Sequence, residues 1–153
     1  MISIYLENEQ ASEQFASSLA NVLVSGTILA FHGDIGAGKT TIIRATLKNL
    51  GITSAIKSPT FSLVESYSTE HFELHHFDLY RIHNPEELDY LGFRDYFTAH
   101  SICIIEWAER AKGVLPKIDL RFTLENDGAG RRLQIIAETD VGKHLLTGLE
   151  GKV

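Results

Sequence analysis

Gly33-Asp34-Ile35-Gly36-Ala37-Gly38-Lys39-Thr40 decides how the rest of the chain is read. The stretch fits G-x-x-x-x-G-K-[ST], a phosphate-binding loop pattern. Thr27-Ile28-Leu29-Ala30-Phe31 before it predicts a buried strand, and residues 41–50 after it predict a helix with Ile43, Leu47 and Leu50 on its buried face. Strand, glycine loop and helix are what the chemistry requires. Glycines let backbone N–H groups turn inward around phosphate oxygens. The helix N-terminus adds partial positive charge. Lys39 can reach the β- and γ-phosphates, and the Thr40 hydroxyl can ligate Mg²⁺.

Upstream, Ile2 to Leu6 alternates weakly and predicts an edge strand. Residues 9–24 predict a helix, with Phe15, Leu19, Val22 and Leu23 on one face and Ser25-Gly26 at its end. Downstream, Pro59 biases Ser58 away from helix, and alternation of Phe61, Leu63 and Tyr67 predicts a strand starting after Thr60. After a short polar turn, residues 72–78 predict a second strand, antiparallel to its predecessor because so short a connection cannot join parallel neighbours. Asn84-Pro85-Glu86-Glu87 is a helix start and Gly92 its stop. Ser101-Ile102-Cys103-Ile104-Ile105-Glu106 has the profile of a central parallel strand buried on both faces. Residues 118–124 and 132–139 predict two strands around the turn 126–130, and residues 141–149 a last helix.

The 153 residues suit one domain, 1–153, with a sizeable core, and no repeat or linker divides them. Fourteen Lys plus Arg against 20 Asp plus Glu give a formal charge of −6, which argues against a protein that grips nucleic acid with its own surface. A single cysteine, Cys103, suggests a reducing compartment. The start of the chain carries no basic segment followed by an apolar stretch, and no run is apolar enough to span a membrane, so a cytoplasmic location is expected.

A phosphate loop alone only binds. Turnover also needs an acid for Mg²⁺ and a group to orient the nucleophile. Ligands of open α/β sheets sit beyond the carboxyl ends of the strands. Two acids close strands there, Asp78 and Glu106. Either is a candidate for Mg²⁺, directly or through water, and Asp78 for polarising the attacking water. Thr60, in the loop before a strand, is a turn residue or a hydroxyl at the γ-phosphate. Trp107 either packs in the core or lies by the nucleotide. His71, His75 and His76 invite a metal reading, but adjacent strand residues face opposite ways and no cysteine cluster supports one. Arg44, Arg81 and Arg110 are candidate charge stabilisers, and Arg131, after a glycine turn, could touch phosphate or ribose.

Five blocks in order resemble the TsaE (YjeE) family: Gly33-Asp34-Ile35-Gly36-Ala37-Gly38-Lys39-Thr40-Thr41, Ser58-Pro59-Thr60-Phe61-Ser62-Leu63-Val64-Glu65, His76-Phe77-Asp78-Leu79-Tyr80-Arg81, Pro85-Glu86-Glu87-Leu88 and Ile105-Glu106-Trp107-Ala108-Glu109-Arg110. The resemblance covers nearly the whole chain. It implies a small bacterial P-loop ATPase that works with TsaB and TsaD in making the threonylcarbamoyladenosine of tRNAs reading codons that start with A. There TsaD transfers the threonylcarbamoyl group, and ATP hydrolysis by the TsaE member resets the TsaB–TsaD pair between turnovers. Carried over by position, residues 33–41 cradle the nucleotide, with Lys39 on its phosphates. Thr40 and Glu106 bind Mg²⁺, Asp78 and Thr60 act around the γ-phosphate, and Trp107 and Arg131 lie by the nucleotide. Where the family usually has proline, this chain has Ala108.

The expected fold is therefore α/β: a single-domain P-loop NTPase-like sheet with a mostly parallel centre and antiparallel edge strands, flanked by helices. An Asn-Lys-x-Asp guanine motif and an Asp-x-x-Gly switch are absent from the places a GTPase needs them, so ATP is expected. A small-molecule kinase would need an arginine-rich lid, and no arginine cluster could build one. A nucleotide-dependent scaffold would use the same site as an ATPase.

Overall fold

The apolar run ending in Glu106 is buried at all six positions, with strands on both sides and packed layers on both faces. The computed structural model describes residues 1–153. The strands are β1 (Ile2–Leu6), β2 (Ile28–His32), β3 (Val64–Ser68), β4 (Glu73–Asp78), β5 (Ser101–Glu106), β6 (Leu120–Asp127) and β7 (Gly130–Ala137). The helices are α1 (Glu9–Val22), α2 (Lys39–Asn49), α3 (Glu86–Tyr90) and α4 (Asp140–Glu150), with 3₁₀ turns at Phe93–Tyr96 and Ala108–Ala111.

One seven-stranded sheet takes the order β1-β7-β6-β2-β5-β4-β3. Its centre, β6-β2-β5-β4, is parallel, while β3, β7 and β1 add antiparallel at the two sides. This is the expected α/β architecture. Phe15, Leu19, Ile43, Leu47, Leu145 and Leu149 from α1, α2 and α4 share one core cluster with Leu29, Phe31, Ile102 and Ile104. Phe31 and Phe122 stack there, ring centroids 4.4 Å apart. The other face carries Phe77, Leu79, Leu88, Phe93, Cys103 and Ile105 under α3 and the 3₁₀ turns. Burial pushes the Cys103 thiol up to about 12, so it stays protonated and unreactive.

Several boundaries depart from expectation for identifiable reasons. The strand expected after Thr60 starts at Val64, because Pro59–Leu63 forms a turn closed by the Leu63 N–H on the Pro59 carbonyl (2.8 Å), with Leu63 at φ 73°. The helix after the glycine loop starts at Lys39, not Thr41, since the Gly38 carbonyl already accepts the Ile42 N–H. α1 ends at Val22, and Gly26 lies beyond its cap. The β6–β7 hairpin is longer than expected, pairing as far as Asp127 opposite Gly130. At α3 the Asn84 side chain accepts the Glu86 N–H, and the Glu87 carboxylate accepts those of His83 and Asn84. Those two bonds hold the Glu87 pKa below its usual value. No helix is long and apolar enough to cross a membrane.

Candidate functional site

Parallel pairing at the sheet centre brings three chain segments to one edge. Asp78 sits opposite Glu106, and Glu106 opposite Phe31, one residue before His32 and the glycine loop. The carboxyl ends of β2, β5 and β4 therefore open side by side, the position where α/β sheets hold ligands.

The loop is shaped by its glycines. Gly36 and Gly38 take φ 85° and 103°, which side-chain-bearing residues rarely adopt. At Gly33 an added Cβ would lie 2.7 Å from the Leu124 carbonyl oxygen, so β6 presses on the loop from below. Lys39 is buried; its ammonium donates to the Gly33 carbonyl (2.6 Å), lies 3.9 Å from Glu106 Oε1 and sits 4.7 Å from the Trp107 ring centroid. The second Glu106 oxygen, Oε2, is 2.8 Å from His76 Nε2. Asp78 Oδ1 accepts the Tyr80 N–H at 3.0 Å, and the Thr60 hydroxyl reaches Asp78 Oδ2 at 3.4 Å. Ser58 Oγ lies 2.8 Å from Thr60 Oγ1. Arg131 reaches across from β7, donating Nε–H to the Ala37 carbonyl at 3.0 Å and Nη1–H to that of Gly130 at 3.1 Å.

Ile35, Gly36, Gly38, Lys39, Thr40, Thr41, Thr60, Asp78, Glu106, Trp107 and Arg131 line one open cleft of about 500 Å³. Gly33, Asp34 and Ala37 shape the loop from behind: the Ala37 N–H closes its turn on the Asp34 carbonyl (3.0 Å). Trp107 does both things expected of it structurally: half-buried, it packs against the second core cluster and forms part of the cleft wall, in a left-handed conformation at φ 59° that turns the chain off β5. Tyr80, which residue-level reading did not single out, covers the same wall, its ring 4.9 Å from that of Trp107. His76 was also missed as a partner of Glu106. The signal lay in spacing: His76 and Asp78 are two apart on one strand and so share a face.

His75 faces the other way, 2.7 Å from Ser66 Oγ and 3.4 Å from Glu73. No group of three His, Cys, Asp or Glu side chains is placed to hold a metal by itself. The donors gathered at the cleft are hard oxygens, the Thr40 hydroxyl and the Asp78 and Glu106 carboxylates. Such a set fits Mg²⁺, which takes one or two carboxylates and completes its shell with water and phosphate oxygens. None of the three candidate arginines stands free over the loop. Arg81 stacks on the Phe61 ring at 4.2 Å, Arg110 lies 5.7 Å from that of Tyr80, and Arg44 lines a separate groove with α1.

His32, directly before the loop, joins it to its surroundings. Its Nε2 accepts from Arg121 Nη1 at 2.6 Å, which puts the proton on Nδ1, 3.2 Å from Glu109 Oε2. Burial, then the Arg121 charge, lowers its pKa below the usual 6.5 against the pull of Glu109.

Comparison with known proteins shows the family. Residues 6–134 match the family described as threonylcarbamoyl adenosine biosynthesis protein TsaE. A protein of Haemophilus influenzae named tRNA threonylcarbamoyladenosine biosynthesis protein TsaE is 38% identical over 148 residues, covering 94% of both chains. The Bacillus subtilis protein of that name is 33% identical over 82% of this chain and 78% of its own. The crystal structure of Bacillus subtilis YdiB superposes with a TM-score of 0.84 over 98% of this chain and 94% of the other, at 26% identity. A family match over most of its length, with relatives aligned over 78% and 94% of theirs, places the chain in the TsaE family.

Proposed function

We propose that the chain binds ATP with Mg²⁺ and hydrolyses it as an accessory to the formation of threonylcarbamoyladenosine in tRNAs reading codons that start with A, resetting a TsaB–TsaD complex between turnovers. The observation that carries this reading is the convergence of the Lys39 ammonium and the Glu106 carboxylate, 3.9 Å apart, at the lip of the glycine turn. A turn that only capped a helix would have no use for a buried acid facing its lysine.

In this reading the N–H groups of Gly36 to Thr41 take phosphate oxygens, and Lys39 offsets charge on the β- and γ-phosphates. Thr40 and Glu106 hold Mg²⁺, with Asp78 directly or through water. A metal held by these residues would supply charge neutralisation for the phosphoryl oxygens. Asp78 and Thr60, joined across 3.4 Å, orient the water that attacks that phosphorus. Trp107 and Tyr80 wall the nucleotide from solvent. The one arginine at the cleft, Arg131, is engaged by the Ala37 and Gly130 carbonyls, so turnover alone is expected to be slow and to rise when partners complete the site. The formal charge of −6 suits a protein that leaves tRNA contact to those partners.

The test is ATP turnover by the chain alone and with TsaB and TsaD, alongside modification of tRNA scored for single or multiple turnovers with wild type and Glu106→Ala. The proposal expects stimulation by the partners and multiple turnovers only with the wild type. A high rate alone, unchanged by partners, would overturn the accessory role. Absence of hydrolysis in both arms would overturn the ATPase.

A further inference from the structure

We infer that His76 is a positioning residue: it fixes the Glu106 carboxylate so that one oxygen is tied inside the sheet and the other faces the cleft. The inference rests on the Mg²⁺ site proposed above.

β4 and β5 pair in parallel with His76 opposite Ile104 and Asp78 opposite Glu106. His76 therefore lies one step inward of Glu106 on the neighbouring strand, on the face that carries α2. From there its Nε2 meets Glu106 Oε2 at 2.8 Å, and both side chains are buried. Glu106 Oε1 points to Lys39 and the cleft. An ionised carboxylate only accepts, so the shared proton sits on His76 Nε2. His76 Nδ1 is buried and has no partner at all.

That orphaned nitrogen separates positioning from packing. A side chain kept only to fill the space between β4 and α2 would be apolar, as Leu74 is two residues earlier on the same face. Histidine leaves one polar atom bare there, and its single hydrogen bond goes to the candidate metal acid. Without that bond the Glu106 carboxylate can rotate so that both oxygens face Lys39, the arrangement least ready for a metal. Outer-shell partners of this kind commonly change metal affinity or activity by about 10–100-fold.

The experiment reads metal linkage rather than turnover. ATP is titrated against the fluorescence of Trp107, the only tryptophan, with and without Mg²⁺, and the ratio of the two affinities gives the tightening due to the metal. His76→Leu is expected to cut that tightening about tenfold, with metal-free ATP binding kept. His76→Gln, whose amide can still donate to Glu106, is expected to restore most of it. His76→Asn, too short to reach, serves as the loss variant if His76→Leu does not fold. In a Glu106→Gln background the His76 substitution should have no further effect, because His76 acts through that carboxylate. Unchanged tightening in a folded His76→Leu or His76→Asn, or equal and additive losses in the Glu106→Gln background, would overturn the inference. Wild-type ATP binding that Mg²⁺ does not tighten would instead overturn the metal site on which it rests.

Discussion

Replacing Arg131 by alanine distinguishes a clamp on the glycine loop from a direct hand on the nucleotide. Its Nε–H donates to the Ala37 carbonyl at 3.0 Å, while its Nη2 is 3.5 Å from that of Gly36, too long to add much. The Gly130 carbonyl belongs to its own strand, so a single charge-assisted bond fastens the loop to β7. Such bonds contribute about 1.5–3 kcal/mol when well buried. Arg131 is only half-buried, and solvent screening reduces this to about 1 kcal/mol. If that energy goes into holding the loop ready for phosphate, Arg131→Ala weakens ATP binding about fivefold. A guanidinium that moved onto a desolvated phosphate would cost about 2–5 kcal/mol on removal, thirtyfold or more. Titration of Trp107 fluorescence with ATP and Mg²⁺ measures the difference, with the thermal midpoint as a folding control. A loss beyond about thirtyfold, or none, refutes the clamp.

The roles of Lys39 and Glu106 should separate: Lys39→Ala lowers ATP affinity, whereas Glu106→Ala mainly lowers Mg²⁺ dependence and turnover of bound ATP. Equal loss of affinity in both, with turnover per bound nucleotide intact, would contradict the split. Asp119 is buried, with one carboxylate oxygen accepting the Ile28 N–H (2.8 Å) and the other the Thr139 hydroxyl that caps α4 (2.6 Å). Asp119→Ala orphans both donors and should destabilise the fold by about 2–4 kcal/mol in urea unfolding; a loss under about 1 kcal/mol would show that water replaces the carboxylate freely. His32 and His75 both have pKa values lowered below the usual 6.5, in each case chiefly by burial. A base depressed in the fold is protonated more readily when unfolded, so both sites leave stability intact above pH 6.5 and remove it as the pH falls through their lowered values. Unfolding free energy should therefore drop as the pH falls below about 6.5, and His75→Asn should flatten the decline. A rise toward acid would reverse the assignment.

The centre of the sheet was readable because its signals are local. A continuous apolar run such as Ile102–Ile105 and the glycine spacing of 33–40 need no partner to be recognised, and the antiparallel pairing of β3 with β4 follows from connection length alone. The late start of β3 was not readable. Alternation from Phe61 onward mimics a strand, but the Pro59 carbonyl captures the Leu63 N–H, and Phe61 is left 81% exposed. The gathering of Thr60, Asp78, Glu106 and Trp107 at one cleft was legible as a set of strand-end residues and through their resemblance to one family. Their contacts were not. Arg131 on the Ala37 carbonyl and His76 on Glu106 depend on sheet order and register, which bring together strands that are distant along the chain. Periodicity within one strand carries no record of its neighbour.

The order β6-β2-β5 has a consequence for synthesis. β2, which carries the glycine loop, pairs with nothing near it in sequence: Ile28 lies opposite Cys103 and Leu29 opposite Leu120. Beneath the loop is Leu124, and beside it Arg131, later still. A ribosome making this protein N-terminus first therefore releases residues 33–40 long before anything can hold them in shape. Non-local pairing of this kind also slows folding. The glycine loop is among the first segments to leave the exit tunnel and, as a candidate nucleotide site, among the last to gain its full set of neighbours. A nascent chain cut anywhere before β6 should expose the loop without binding ATP.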